Sequence, residues 1–283
     1  MNIFEELKYY FQFDFVKYAI VVGILISLCC AMLGVTLVLK RYSMIGDGLS
    51  HVAFGAMSVA MVLTIADMYV MLPVTIVVAI LLIRLTNQGK VKNDSAIAML
   101  SVGALAFGYL IVNIFSTSSN ISGDVCTTLF GSTSILTLNN FDLWLCIILT
   151  IFVLGYFIFF HNKIFSVTFD EGFSKATGVK TAVYNNIMAM IIGVVIVLAM
   201  KLVGSLLISA LIVFPALSAI RLFKSYKSVI IFASIISVIN SIIGILVAIL
   251  WGTPVGSTIV IINIIAYFIC WCVEVIIRET RKA

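Results

Sequence analysis

The sequence places an acid and an imidazole inside one apolar stretch, RYSMIGDGLSHVAFGA, at residues 41–56. Asp47 and His51 are four positions apart, so their side chains lie on one face of a helix. If the helix begins near Arg41, a rise of about 1.5 Å per residue puts His51 roughly 15 Å along it. That depth is close to the centre of a hydrocarbon layer about 30 Å thick. Ionisable side chains there face protein or a water-filled path, and they indicate a functional site.

Three interpretations of the Asp47/His51 pair are open. It could be a structural hydrogen bond between packed helices, or a proton relay, because histidine titrates near neutral pH. It could also be a transient site for a divalent metal, since carboxylate and imidazole bind zinc and also manganese or iron. One helix supplies two ligands, and a two-fold dimer would supply the four of a complete site. We favour the metal site, with Ser50 and Gly55 on the same helical face predicted to line the pathway.

Apolar runs long enough to cross a bilayer recur along the whole chain. Of 283 residues, 63% are hydrophobic and 10% are charged, whereas about 25% of the residues in a soluble domain are charged. We therefore predict an all-α, polytopic helical membrane protein whose residues 1–283 form a single transmembrane domain. Residues 1–14 are predicted to be an amphipathic segment that leads into the first span. Nine spans are predicted, at about 15–39, 43–66, 69–84, 94–115, 142–160, 183–202, 205–222, 228–250 and 257–277.

The basic residues predict the orientation of these spans. An outer amino terminus leaves only Lys8, Lys17 and Lys201 of the 17 basic residues on or near the outer side. Basic residues concentrate in cytoplasmic loops, so the carboxyl terminus is predicted to be cytoplasmic. This distribution accounts for the net charge of +5 and excludes a nucleic-acid partner; the surrounding partner is membrane lipid.

Two loops carry further expectations. Residues 116–140 contain no lysine or arginine and are predicted to lie outside, where they could re-enter the membrane or cap a pore mouth. Residues 161–182, here called the connecting segment, form the longest cytoplasmic loop. Thr168 or Asp170 could cap a short helix in it and Gly178 could end that helix. Such a helix is a natural docking surface for another protein.

The stretch around Asp47 and His51 resembles the segment that marks the membrane subunits of zinc and manganese ABC importers, the ABC-3 type metal transporters. The resemblance covers nearly the whole chain, and the sequence AMKLVG is closer to that of zinc-type members. The fourth span, AMLSVGALAFGYL at 98–110, lacks the histidine that zinc-type members can carry there. Three further stretches agree in the family's order: FDEGFSKATGVKT (169–181), AMKLVGSLLISALIVFPALSAIRL (199–222) and TPVGSTIVIIN (253–263).

The resemblance implies a homodimeric import permease of the type II, vitamin B12 importer-like architecture in a bacterial cytoplasmic membrane. A cytoplasmic ATPase dimer would dock on it, and an extracytoplasmic metal-binding protein would deliver the ion. Asp47 and His51 match the acid and histidine taken to coordinate the metal in that family. The residues that match the loop gripped by the ATPase are Asp170, Glu171, Ala176 and Gly178.

The same resemblance implies a transport subunit and not an enzyme. Zinc is the favoured cargo, with manganese or iron as alternatives, and no cofactor is expected to be permanently bound. ATP hydrolysis is expected in separate subunits, because the sequence contains no G-x-x-x-x-G-K-[ST] phosphate loop. The competing interpretation is a proton-coupled secondary metal carrier, a class whose two halves usually show an internal repeat. We find no such repeat in this sequence.

Overall fold

A computed structural model describes residues 9–87, 93–115, 140–205 and 208–280, and these residues form helices without any strand. Eight of the described helices are long and apolar enough to cross a membrane, and the helix Ile208–Leu222 is apolar but shorter. The predicted all-α architecture with about nine spans is therefore confirmed. The helices are α1 Asp14–Leu39, α2 Ile45–Val62, α3 Asp67–Asn87, α4 Asn93–Phe115, α5 Asn140–Phe159, α6 His161–Phe169, α7 Glu171–Ala176, α8 Thr181–Val203, α9 Ile208–Leu222, α10 Tyr226–Trp251 and α11 Val255–Thr280.

Two predicted features fall on residues outside the described ranges. These are most of the amphipathic segment at 1–14 and nearly all of the outer loop at 116–140. Both stay predictions.

Helix α1 is the central helix of the bundle. It packs against α5, α8, α9 and α10, and most of its side chains are buried. A Cβ at Gly34 would overlap the backbone carbonyl of Ile212, so α1 and α9 cross with their backbones in contact. Without a hydrophobic effect inside lipid, such close crossings at small residues hold membrane helices together. Helix α2 packs mainly against α3 and α4.

The connecting segment folds into two short helices where the sequence predicted one. Asp170 has extended backbone angles (φ −146°, ψ 96°) that end α6, and its side chain then caps α7 by accepting a hydrogen bond from the Phe173 N–H at 2.8 Å. Gly178 follows α7 at φ +84°, a conformation that favours glycine. The predicted roles of Asp170 as a cap and Gly178 as a stop are thus observed.

Candidate metal site

The Asp47 and His51 side chains meet on one face of α2. His51 Nε2 lies 3.5 Å from Asp47 Oδ1. The imidazole is 6% exposed, whereas the carboxylate is 28% exposed. The imidazole of the pair is therefore buried, whereas the carboxylate is partly open.

Two serines form hydrogen bonds with Asp47. Ser101 of α4 donates a hydrogen bond to Asp47 Oδ2 at 3.3 Å, which leaves Oδ1 on the His51 side. Ser50 is fully buried, and its hydroxyl donates to the backbone carbonyl of Asp47 at 2.8 Å. Ser50, a predicted pathway residue, thus supports the backbone of the helix that carries the acid.

One ring nitrogen of His51 has no hydrogen-bond partner among the described residues. This nitrogen, Nδ1, is buried. A buried polar atom left unpaired costs about 1–3 kcal/mol. The imidazole is therefore held in place by packing and by its neighbour Asp47, not by a full set of hydrogen bonds.

Close packing between α2 and α4 sets the position of the pair. A Cβ at Gly55 would lie 3.1 Å from the carbonyl oxygen of Ala104, and a Cβ at Gly108 would lie 3.0 Å from the Cα of Gly55. Gly55 also lines an apolar groove of about 430 Å³ between α2, α3 and α4. The structure thus places Gly55, the other predicted pathway residue, at a helix crossing and on a groove wall.

One chain does not build a complete ligand shell from its described residues. Within them, no group of three or more histidine, cysteine or acidic side chains could hold a metal ion. Asp47 and His51 supply two ligands, and a four-coordinate site requires two more from elsewhere.

The predicted ATPase-contact residues lie on different sides of the connecting segment. Asp170, Ala176 and Gly178 are exposed. Glu171 is half-buried and turned toward the chain's own helices: it accepts hydrogen bonds from Asn185 Nδ2 at 3.1 Å and pairs with Lys175 Nζ at 2.9 Å.

A chain of contacts leads from Glu171 to the end of α1. Asn185 accepts a hydrogen bond from Lys40 Nζ at 2.6 Å, and Lys40 directly follows α1. Burial lowers the pKa of Lys40 to about 8, against the opposing attraction of Glu171. Burial alone would raise the pKa of Glu171, but hydrogen bonds from Lys175 and Asn185 and the charges of Lys175 and Lys40 together lower it. We call Glu171, Asn185 and Lys40 the polar link.

Comparison with known proteins decides the family. The model of the ABC 3 transport family matches residues 12–274, nearly the full length of this chain. The chain belongs to the ABC 3 transport family. This membership confirms the resemblance drawn from the sequence, and it makes the protein a multi-pass membrane protein of a family of ABC transporter permease subunits.

Individual relatives agree with the membership. The manganese import system permease protein ScaB of Streptococcus gordonii is 25% identical over 258 residues, which cover 91% of this ABC 3 chain and 91% of ScaB. The high-affinity zinc uptake system membrane protein ZnuB of Haemophilus influenzae is 27% identical over 250 residues, covering 88% of this chain and 94% of ZnuB. Relatives named for manganese and for zinc thus match about equally well.

A solved structure supports the fold of this ABC 3 protein. PsaBC from Streptococcus pneumoniae, solved in complex with Fab, superimposes with a TM-score of 0.82 at 24% identity and covers 95% of each chain. The observed helix arrangement is therefore the one found in the PsaBC structure.

Three polar residues of this ABC 3 chain were missed by sequence reasoning. Ser101 contacts the acid from 54 positions away, while Asn185 and Lys40 join the connecting segment to α1. A lone serine inside an apolar span was the available signal for Ser101. The sequence offered no comparable signal for the two link residues, since each stands near a span end where polar residues are ordinary.

Proposed function

We propose that this ABC 3 chain is the permease subunit of an ATP-driven importer of divalent transition-metal ions, with Asp47 and His51 as ligands for the ion in transit. The separation of these two groups is the observation that carries the proposal. Two ligands about 2.1 Å from a tetrahedral ion lie about 3.4 Å apart, and Oδ1 and Nε2 are 3.5 Å apart. The observed separation is therefore close to that of two ligands of one ion.

The same distance counts against a structural hydrogen bond within the pair. A good hydrogen bond to nitrogen spans about 2.7–3.2 Å, and at 3.5 Å the contact between Asp47 and His51 is long. A proton relay through one intervening water is the alternative that the uptake assay tests.

Zinc is the first ion to test, because tetrahedral geometry with nitrogen and oxygen ligands is typical of zinc. Manganese and iron, which accept the same ligands, are the competitors in the assay.

A second copy of the chain would complete the ligand shell. A two-fold axis beside α2 brings two carboxylates and two imidazoles together, which makes four ligands. Asp47 is the half of the pair that remains partly open, so it is the group that reaches toward such an axis. The proposal includes a homodimer in the bacterial cytoplasmic membrane, with its carboxyl terminus on the cytoplasmic side.

The connecting segment is proposed to receive the movement of a cytoplasmic ATPase dimer. Its exposed face carries Phe173 and Ala176, while its inner face holds the polar link to α1. Five residues after α1, the chain enters α2, and Asp47 is the third residue of that helix. A shift of the segment can therefore reach the metal ligands through a short covalent and hydrogen-bonded path.

Reconstitution tests the proposed function. The chain is placed in proteoliposomes with its ATPase subunit, a metal-loaded binding protein is supplied outside, and radioactive zinc uptake is followed with and without ATP. We expect uptake that requires ATP, falls when unlabelled zinc competes, and falls less with manganese or iron.

The matched variants are Asp47→Asn and His51→Gln against Asp142→Asn, another acid of the bundle. The first two should abolish uptake at unchanged assembly with the ATPase. Uptake that continues without any ATPase but collapses with the proton gradient would replace the proposal with a secondary carrier.

A further inference from the structure

A second groove lies on the surface of the bundle, away from the Asp47 site. It has a volume of about 670 Å³ and opens between α1, α5 and α10. None of its lining residues belongs to α2, α3 or α4. Most of its wall is apolar; the residues that define the three sides are Leu28 and Met32, Leu154 and Ile158, and Ile231 and Ile235.

One end of this groove is polar and basic. His161 and Asn162, which begin α6, and Lys227, in the first turn of α10, lie together on the lining. The lining contains no acidic residue. Lys227 is exposed, and the described residues provide it with no ion pair. The rim therefore offers one uncompensated cation and two further hydrogen-bonding side chains.

The groove runs along α10 from the basic rim into the apolar part of the bundle. Lys227 and Ile235 are eight positions apart, which corresponds to about 12 Å of helix. A ligand that fits has a negative, hydrogen-bond-accepting head and an apolar chain that extends at least that far. Among the components of a membrane, an anionic phospholipid has both.

We infer that this groove binds one anionic phospholipid from the leaflet that faces the connecting segment. The phosphate lies at Lys227, His161 and Asn162, and an acyl chain occupies the apolar length between α1, α5 and α10. Basic pockets between membrane helices bind anionic head groups in this way. The site needs only that the protein spans a membrane, so it is independent of the metal proposal.

A second copy of the chain fits this groove poorly. In a dimer whose two-fold axis runs along the membrane normal, the groove of one copy would face the groove of the other at the same depth in the membrane, so two concave surfaces would meet. The two Lys227 rims would then lie at the same level, and the space between the copies would stay unfilled. The concave shape and the unpaired cation both favour a lipid.

The bound lipid would lie against the start of the connecting segment. His161 is the first residue of α6, and its ring lies 5.4 Å from the ring of Tyr226, which begins α10. A phosphate held there bridges the starts of these two helices. Lipid occupancy is therefore expected to raise the thermal stability of the purified chain.

Native mass spectrometry of the full chain tests the inference. The protein is titrated with phosphatidylglycerol and with phosphatidylcholine that carry identical acyl chains. One lysine near an anionic head contributes about a fivefold preference, so we expect phosphatidylglycerol to bind about fivefold more tightly. Lys227→Gln should remove this preference, and Lys224→Gln, an exposed lysine three residues away and absent from the groove lining, should keep it.

A steric variant separates the groove from the general lipid surface. Ile231→Trp places a large ring in the apolar length and should weaken the first bound molecule of both lipids. Photoactivatable phosphatidylglycerol should label residues 227–235. Equal affinity of the wild type for the two lipids, or an unchanged preference in Lys227→Gln, would overturn the inference. Cross-linking of two copies through Ile231→Cys at this face would overturn it as well.

Discussion

Gly108→Ala is the sharpest test of how α4 holds the helix that bears the acid and the histidine. The new Cβ would lie 3.0 Å from the Cα of Gly55 and 2.9 Å from Cδ1 of Phe54. Ordinary contacts of this kind are 3.4–4 Å long, so α2 and α4 would have to separate by about half an ångström. Phe54 is 1% exposed, so its ring is enclosed by neighbouring residues.

The energy of this change has two opposing parts. Overpacking a close contact costs about 1–3 kcal/mol. Replacing glycine by alanine inside a helix returns up to about 1 kcal/mol. Gly103→Ala is the matched control, because it lies on the same helix and a Cβ there would meet nothing within 4 Å. Both variants gain the higher helix propensity of alanine. The difference between their free energies of unfolding therefore measures the clash alone, at about 1–3 kcal/mol.

Thermal unfolding of both variants in one detergent measures that difference. At about 2–4 °C per kcal/mol for a chain of this size, Gly108→Ala should melt several degrees below Gly103→Ala. Because the separation of α2 and α4 also moves Ser101 away from Asp47, zinc uptake should fall in the first variant only. Equal melting temperatures and equal uptake would refute the close α2–α4 crossing as the element that positions the site.

Three further predictions concern the polar link and the bundle interior. Glu171→Gln removes about 1 kcal/mol of charge-assisted contact, a roughly fivefold change in the equilibrium that it governs, and should lower zinc uptake per ATP hydrolysed. Asp14→Asn, at an exposed acid outside the connecting segment, should not lower it. The pKa of Lys40 is about 8 in the folded chain, whereas its ordinary value is 10.5. Between these two pH values the unfolded chain binds more protons than the folded chain, so the stability of the wild type should rise from pH 8 to pH 10 by more than that of Lys40→Met. Melting temperatures of the two proteins that change in parallel with pH would contradict this. The buried Asn240 amide donates to Asn263 Oδ1 at 3.0 Å, and Asn263→Leu should lower the free energy of unfolding by about 1–2 kcal/mol because it leaves that amide without an acceptor. In thermal melts, the double variant with leucine at both positions should recover part of that loss. No recovery would mean that the two asparagines do not act as a unit.

The sequence predicted the spans well because the length of an apolar run is a local property. Predicted span 142–160, for example, corresponds to α5 at Asn140–Phe159. The run at 205–222 corresponds to α9 at Ile208–Leu222, and it follows Gly204, which ends α8 at φ +86°. The 15 residues of α9 are about 22 Å long.

The candidate site was predictable only where its residues are neighbours in the chain. Asp47 and His51 meet because a helix places positions four apart on one face. Ser101 joins them through the crossing of α2 and α4, which depends on Gly55 and Gly108 and therefore on tertiary packing. The orientation of Glu171 toward the bundle is likewise a tertiary fact, because a helix of six residues presents acids on either side equally well.

The central claim is that Asp47 and His51 bind the transported ion, and the two histidines of the sequence allow a direct test. Equilibrium zinc binding to the assembled, nucleotide-free complex is measured for the wild type, His51→Ala and His161→Ala. Each variant removes one imidazole, and of the two histidines His51 is the one that the described residues pair with an acid. The account predicts that His161→Ala binds zinc like the wild type and that His51→Ala loses at least tenfold in affinity. Equal affinities for all three proteins would contradict it.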